Sequence, residues 1–281
     1  MSQICDYILN TEVRSLLAWH KAAARNRQLE TLSKLRGEIE TIMTGERIGG
    51  AILTKGSLAR GDFCRKSDVD LVILANADDE TAECDLTLRL ISLGSSLGRR
   101  VSVDWWNHRT DVSRSRSIGF WLAMIESRML AGDLEFFHRC RSHWIEKLFL
   151  IPVPTLFELR RLDLRRHWDT TERYSALSMN VKRGEGGLID SDFLALLRDF
   201  SGADPRRLLE CQTLFETSRS IGDHLFLIKS LLHDITGEPR ESALLDSDCS
   251  PLPCVLQADN VRRLMDVHQE VLETLKEKLP C

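Results

Sequence analysis

The spacing of apolar and polar positions changes several times along the chain, and each change marks a predicted element. From residue 10 to 44, Leu16, Leu17, Trp19 and His20, then Leu32, Leu35, Ile39 and Ile42, recur at helical spacing. The pattern predicts two helices with a soft break around Asn26, ended by Gly45 and Gly49-Gly50. Two short apolar runs follow, Ala51–Lys55 and Val69–Leu74. Each is bounded by turn residues and too short for a helix, so both are predicted strands. After a polar turn at residues 76–80, Thr81 is the predicted N-cap of a helix running to about Leu93, with Gly94 and Gly98 marking its end. Arg99–Trp106 alternates: Val101 and Val103 share one face of a strand, Ser102 and Asp104 the other. Residues 113–149 read as two helices joined at a turn, the first ended by Gly132 and the second capped by Asp133.

Ile151-Pro-Val-Pro154 interrupts the pattern and is the predicted domain boundary. Beyond it the strongly basic stretch Glu158–His167 predicts a helix with a solvated face. Helices are also expected over Phe193–Phe200, Pro205–Thr217, Ser220–Ile235 and Asn260–Leu279. Leu225, Ile228, Leu231 and Leu232 form an apolar stripe on one of them, and a loop with three prolines, Glu238–Pro253, precedes the last. The expected organisation is one domain over residues 1–150 and an α-helical bundle over 151–281. Within the first, helices occupy 1–48, a sheet spans about 49–110 and helices continue to 150.

At 281 residues and 43% hydrophobic content the chain is large enough for a substantial core. A net charge of −4 gives no bulk attraction to nucleic acid or an anionic membrane. No apolar run approaches a membrane span, and the start MSQICDYILN lacks a basic-then-apolar signal pattern, so a cytoplasmic location is expected. The eight cysteines are scattered without a Cys-x-x-Cys pair, which argues against a zinc ribbon or disulfide scaffold. His138, Cys140 and His143 crowd together, but lack a visible fourth ligand and read as ordinary helix residues.

The chemistry concentrates between the first two strands. Gly56-Ser57 ends the first, and Asp68 and Asp70 stand at the entrance to the second with Val69 between them. Residues two apart on a strand project to the same side, so both carboxylates face one way. Adjacent carboxylates repel unless a cation lies between them, and an all-oxygen donor set suits magnesium or manganese. A glycine turn with a serine hydroxyl and exposed amides suits phosphate oxygens. Together these features point to a metal–nucleoside triphosphate site.

Gly56-Ser57, Ala59-Arg60-Gly61 and Ser67-Asp68-Val69-Asp70-Leu71 resemble the signature of the nucleotidyltransferase superfamily related to DNA polymerase beta. The wording GSLARGD and SDVDLVIL is similar to bacterial PII-protein uridylyltransferases and glutamine-synthetase adenylyltransferases. A second match, Asn180-Val-Lys-Arg-Gly-Glu-Gly-Gly-Leu-Ile-Asp190, resembles a glycine-rich stretch of the same families, with Ile189 where they usually carry arginine. The resemblance implies an α/β (α+β) nucleotidyltransferase core, a short mixed sheet with flanking helices, followed by the helical bundle. It implies catalytic and metal-binding roles for Asp68, Asp70 and Asp104, with two Mg²⁺ ions, or Mn²⁺ in their place. Gly56, Ser57, Ser67, Lys182, Gly186 and Gly187 are the implied nucleotide-binding residues. The implied reaction moves a nucleoside monophosphate from a nucleoside triphosphate to an acceptor hydroxyl with release of pyrophosphate. The implied acceptor is a protein side chain, as on a PII-like or other regulatory protein, with tyrosine the expected residue. A membrane or nucleic-acid partner is not expected.

Two alternatives stay open at this level: a small-molecule acceptor, such as an antibiotic, and a nucleotide-binding regulatory pseudoenzyme. The hydrolase and sensing domains of the full uridylyltransferases find no counterpart in the stretch at hand, so their activities are not carried over.

Overall fold

The computed structural model describes residues 11–45, 50–65, 67–75, 80–107, 117–171, 178–180, 182, 186–200, 202–236, 242–244 and 258–279. The expected turn at residues 76–79 and most of the proline-containing loop lie outside them. The chain folds as two compact units. One comprises Lys21–Ser115 and Ala123–Lys147, the other Met1–His20, Arg116–Leu122 and Leu148–Cys281. No described helix is long and apolar enough to cross a membrane.

The first helix, α1, is continuous over Thr11–Gly45 rather than broken at Asn26. Asparagine is only a weak helix former, and without a glycine or proline nearby its small penalty does not stop propagation. Four strands form the first unit's sheet: β1 (Gly50–Lys55), β2 (Val69–Ala75), β3 (Val101–Asn107) and β4 (Arg128–Gly132). Their order is β3-β2-β1-β4, with β1 antiparallel to both neighbours and β2 parallel to β3. The sheet is therefore mixed, as expected, and the fold is α/β. The short helix α2 (Gly56–Arg60) follows β1 directly.

Helix α3 (Glu80–Leu97) supplies the crossover that parallel pairing of β2 and β3 requires. It already includes Glu80, so Thr81 is not its N-cap, and it passes through Gly94. A side chain at Gly94 would meet the Arg99 carbonyl at 2.6 Å, so this glycine permits close packing and does not stop the helix. Gly98 does, in the left-handed conformation that glycine adopts without strain.

Strand β4 was not expected. Arg128–Gly132, read as the end of a helix, pairs with β1 after α4 (Ile118–Glu126), with a register shift between Ile52 and Leu53. Its run of apolar residues is short enough to pass for a helix terminus, and sheet pairing overrides the local pattern. Asp133 is the expected cap: its carboxylate accepts the Phe136 amide at the start of α5 (Leu134–Phe149). Within α5, Cys140 is buried while His138 and His143 are exposed. The core of this unit joins Leu35 and Ile39 of α1, Ile52, Val69, Leu71 and Ile73 of the sheet, and Leu86 and Leu90 of α3.

In the other unit α6 (Val153–Thr171) starts in the proline break. A two-stranded antiparallel ribbon, β5 (Ser178–Asn180) with β6 (Ser242–Leu244), interrupts what was expected to be purely helical. Helices α7 (Leu188–Phe200), α8 (Pro205–Glu210), α9 (Gln212–Thr236) and α10 (Ala258–Lys278) follow. The break predicted near residue 218 falls instead at Cys211, because Asp204 and Pro205 start a separate short helix. Ile221, Leu225 and Ile228 of α9 pack with Val261, Leu264 and Met265 of α10.

Gly186, two residues before α7, is locked by buried polar groups. A side chain at Gly186 would meet the Met265 carbonyl at 2.0 Å, and its φ of +71° lies in the left-handed region. The Gly186 amide donates to Asp190 Oδ2 at 2.7 Å, while Asp190 Oδ1 accepts Arg160 Nε at 2.5 Å. The Gly186 carbonyl lies 2.9 Å from His268 Nδ1, and His268 Nε2 lies 2.7 Å from Ser218 Oγ. Arg160 thus faces a buried carboxylate instead of solvent, and does not belong to the solvated face expected of this basic helix. Arg161 next to it keeps that character and pairs with Glu158 at the surface.

Arg160→Met leaves the buried Asp190 charge without its partner and is expected to destabilise folding by about 3–5 kcal/mol, measurable by urea unfolding. Burial holds the His268 imidazole below its ordinary value of 6.5, outweighing the Gly186 hydrogen bond and nearby Asp190. The folded protein therefore binds fewer protons than the unfolded chain below that value. The His268 contribution is complete above pH 6.5 and falls as the pH drops through it. The slope approaches about 1.4 kcal/mol per pH unit for one proton. Unfolding between about pH 7.5 and pH 5.5 is expected to show a smaller stability loss in His268→Gln than in wild type.

Candidate active site

The candidate site sits where β1 ends and β2 and β3 begin. Strand alternation divides the residues cleanly. Val69, Leu71 and Ile73 of β2, Ile52 of β1 and Val101 of β3 face the main core. The opposite face carries Lys55, Asp70, Ser102 and Asp104. The pairing register sets Lys55 opposite Asp70, Asp70 beside Ser102, and Val72 beside Asp104. Asp68 precedes the strand, and the Val69 amide donates to the Arg100 carbonyl. With Val69 fully buried, Asp68 and Asp70 flank it half-exposed. Asp70 lies on the strand and Asp68 one residue before its start.

Asp70 is held on two sides. Ser102 Oγ donates to its Oδ1 at 2.6 Å. Its Oδ2 lies 2.9 Å from where a Gly56 side chain would begin. Gly56 also has a φ of +64°, so the turn needs glycine for both conformation and space. Ser57 follows in the first turn of α2, half-buried.

The loop between α2 and β2 is fixed by its backbone. Gln28 Nε2 donates to the Leu58 carbonyl at 2.6 Å, and Arg27 Nε to that of Phe63. Arg99 Nη1 donates to the carbonyls of Arg65 and Ser67, with its guanidinium 4.4 Å from the Phe63 ring centroid. Burial pulls the Arg99 guanidinium below its usual value, and neighbouring Arg27 adds to that effect. Ser67 Oγ accepts the Cys64 amide at 3.0 Å, so this predicted nucleotide-binding residue closes the turn that presents Asp68. Arg60, in the middle of the matching motif, pairs with Glu126 at 2.9 Å and with Asp62 at 3.3 Å.

Asp104 lies on the site face of β3, half-exposed, and its Oδ2 receives the Lys55 ammonium. Lys55 also stands 6.0 Å from the centroid of the Trp106 ring. Among the described residues no three His, Cys, Asp or Glu side chains converge to hold a metal ion. The donors that suit a hard cation are Asp68 and Asp70. Asp70 keeps Oδ2 without a hydrogen bond from the described residues, which fits magnesium or manganese. Lys182, Gly186 and Gly187 belong to the other compact unit, where both glycines are buried and the Lys182 carbonyl accepts the Ile189 amide.

Two participants escaped the sequence reading. Ser102 carried a signal, since alternation already put it on the face of Asp104. Lys55 carried none, because its position opposite Asp70 depends on the register of β1 against β2.

Residues 32–114 match the family described as a nucleotidyltransferase domain. A bifunctional uridylyltransferase/uridylyl-removing enzyme of Zymomonas mobilis is 30% identical over 144 residues, covering 50% of this chain and 15% of that protein. One from Burkholderia lata is 25% identical over 206 residues, covering 70% and 23%. The chain thus spans less than a quarter of the length of these relatives. A solved toxin–antitoxin structure with AMP-PNP shares 17% identity at a TM-score of 0.30, over 48% of this chain and 97% of that one. Sequence motif, strand register and family match point the same way: residues 32–114 are similar to nucleotidyltransferase domains, and the chain shows homology to the uridylyltransferase relatives.

Proposed function

We propose that the protein transfers a nucleoside monophosphate from a nucleoside triphosphate to an acceptor hydroxyl, with release of pyrophosphate. The observation that carries this reading is the Asp68–Asp70 pair at the mouth of β2, with Asp70 fixed between the Ser102 hydroxyl and the Gly56 turn. Mg²⁺, when bound, supplies positive charge to the α-phosphate and to the leaving pyrophosphate. Asp68 and Asp70 would hold it. The family resemblance implies two such ions, the second engaging Asp104.

Gly56 and Ser57 offer the amides and hydroxyl of a tight turn to the β- and γ-phosphates. Asp104, on the same face, orients the acceptor hydroxyl and accepts its proton. The acceptor oxygen bonds to the α-phosphorus as the bond from that phosphorus to the bridging oxygen breaks. The motif resemblance to PII-protein uridylyltransferases supports a protein side chain, with tyrosine the expected residue, as acceptor, and a cytoplasmic setting belongs to the same proposal. The transferase domain is drawn to residue 150, with the helical bundle beyond it.

Incubation with each of the four radiolabelled nucleoside triphosphates and Mg²⁺ in a lysate of proteins is expected to label an acceptor from one preferred donor. Asp68→Asn and Asp70→Asn are each expected to lower labelling by roughly a thousandfold or more, with thermal unfolding unchanged. Near-normal labelling by a folded Asp70→Asn protein would exclude the mechanism. Gly56→Ala introduces a side chain against the Asp70 carboxylate and a strained φ. It is expected to weaken nucleotide binding about tenfold or more by calorimetry, at a folding cost of about 1–2 kcal/mol.

A further inference from the structure

We propose that Lys55 is the resident counter-charge of Asp104 and takes the place of a second metal ion, so that the site carries one divalent ion on Asp68 and Asp70. The inference rests on the transferase reading above and departs from the family resemblance only in the number of ions.

Three strands contribute to the arrangement. Lys55 ends β1 and stands directly opposite Asp70 on β2, on the face where cross-strand side chains approach closely. Its ammonium reaches past β2 to the carboxylate of Asp104 on β3. Ser102, two residues before Asp104 on the same face, holds Asp70 by its other side. A lysine therefore stands opposite one of the three carboxylates expected to share metal and pairs with another. Its side chain is 20% exposed, that of Asp104 50%, and the indole of Trp106 borders it at 6.0 Å. The wall of the site thus backs the ammonium, while Asp104 remains open on its other side.

The charges explain the consequence. Asp68, Asp70 and Asp104 carry three negative charges at one end of a sheet. The charge of Asp104 is already answered by the Lys55 ammonium. A divalent ion at Asp104 must displace an ammonium tethered by its own strand. Lys55 immediately precedes Gly56-Ser57, at the N-cap position of α2. Lys55 is in this sense a positioning residue: it sets where Asp104 points and denies that carboxylate to metal.

Mn²⁺ alone, counted by the loss of the free-ion paramagnetic resonance signal, tests the idea without reference to turnover. The wild-type protein is expected to bind one Mn²⁺, and Asp68→Asn/Asp70→Asn none. Lys55→Met is expected to bind two, the second lost again in Lys55→Met/Asp104→Asn. Asp104→Asn with Lys55 intact is expected to leave wild-type Mn²⁺ affinity within about twofold, since Asp104 holds no ion there. Two ions in the wild type, or one in a folded Lys55→Met protein, would overturn the assignment of Lys55 while leaving the Asp68–Asp70 site standing. A tenfold affinity loss in Asp104→Asn would do the same. No Mn²⁺ bound to the wild type would remove the transferase reading and this proposal together.

Discussion

Strand β2 is buried on both faces from Leu71 onward, and this constrains everything around it. A strand in that position tolerates no charge along its length, so ionic groups can stand only where it begins. Asp68 and Asp70 occupy that place. Parallel pairing with β3 then brings Ser102 and Asp104 alongside, and antiparallel pairing with β1 brings Lys55. The arrangement of charge is thus a consequence of hydrophobic burial. The apolar residues of β2 set the register, and the register decides which polar groups meet.

Carboxylates held so close to one another need rigid support, and the surrounding loop supplies it through backbone carbonyls. Gln28 and Arg27 reach it from α1, and Arg99 from the turn before β3. Conserving the carbonyls as acceptors lets the loop side chains vary while its path stays the same. Ser67 and Arg60, conspicuous in the motif, serve this framework: one closes a turn and the other links the loop to Glu126. A motif residue can therefore matter to chemistry by shaping the ground on which the reacting groups stand.

Much of this was legible in the sequence. The apolar runs of β1 and β2, the alternation of β3 and the Asp-x-Asp spacing led to the sheet and to its carboxylates. The misses share a cause. Arg128–Gly132 has no strand character until β1 is available to pair with it. Gly94 looks like a helix stop until Arg99 and Val101 are seen packed against it. Lys55 and Asp104 are 49 residues apart, and their meeting is written only in strand order and register. Arg160 reads as surface until Asp190 is found beneath it. Local patterns were readable where the chain acts on itself nearby, and silent where distant segments decide.

The Arg160–Asp190 pair also bears on how this sequence can change over time. A buried charge tolerates loss of its partner poorly, whereas a matched apolar pair of similar volume fits the same space. Single substitutions at either position therefore lead through a poorly folded intermediate, while paired ones do not. Gly186 narrows the route further, because its amide must still find an acceptor after any exchange at Asp190. The two positions are bound to drift together, and a third restricts the directions open to them.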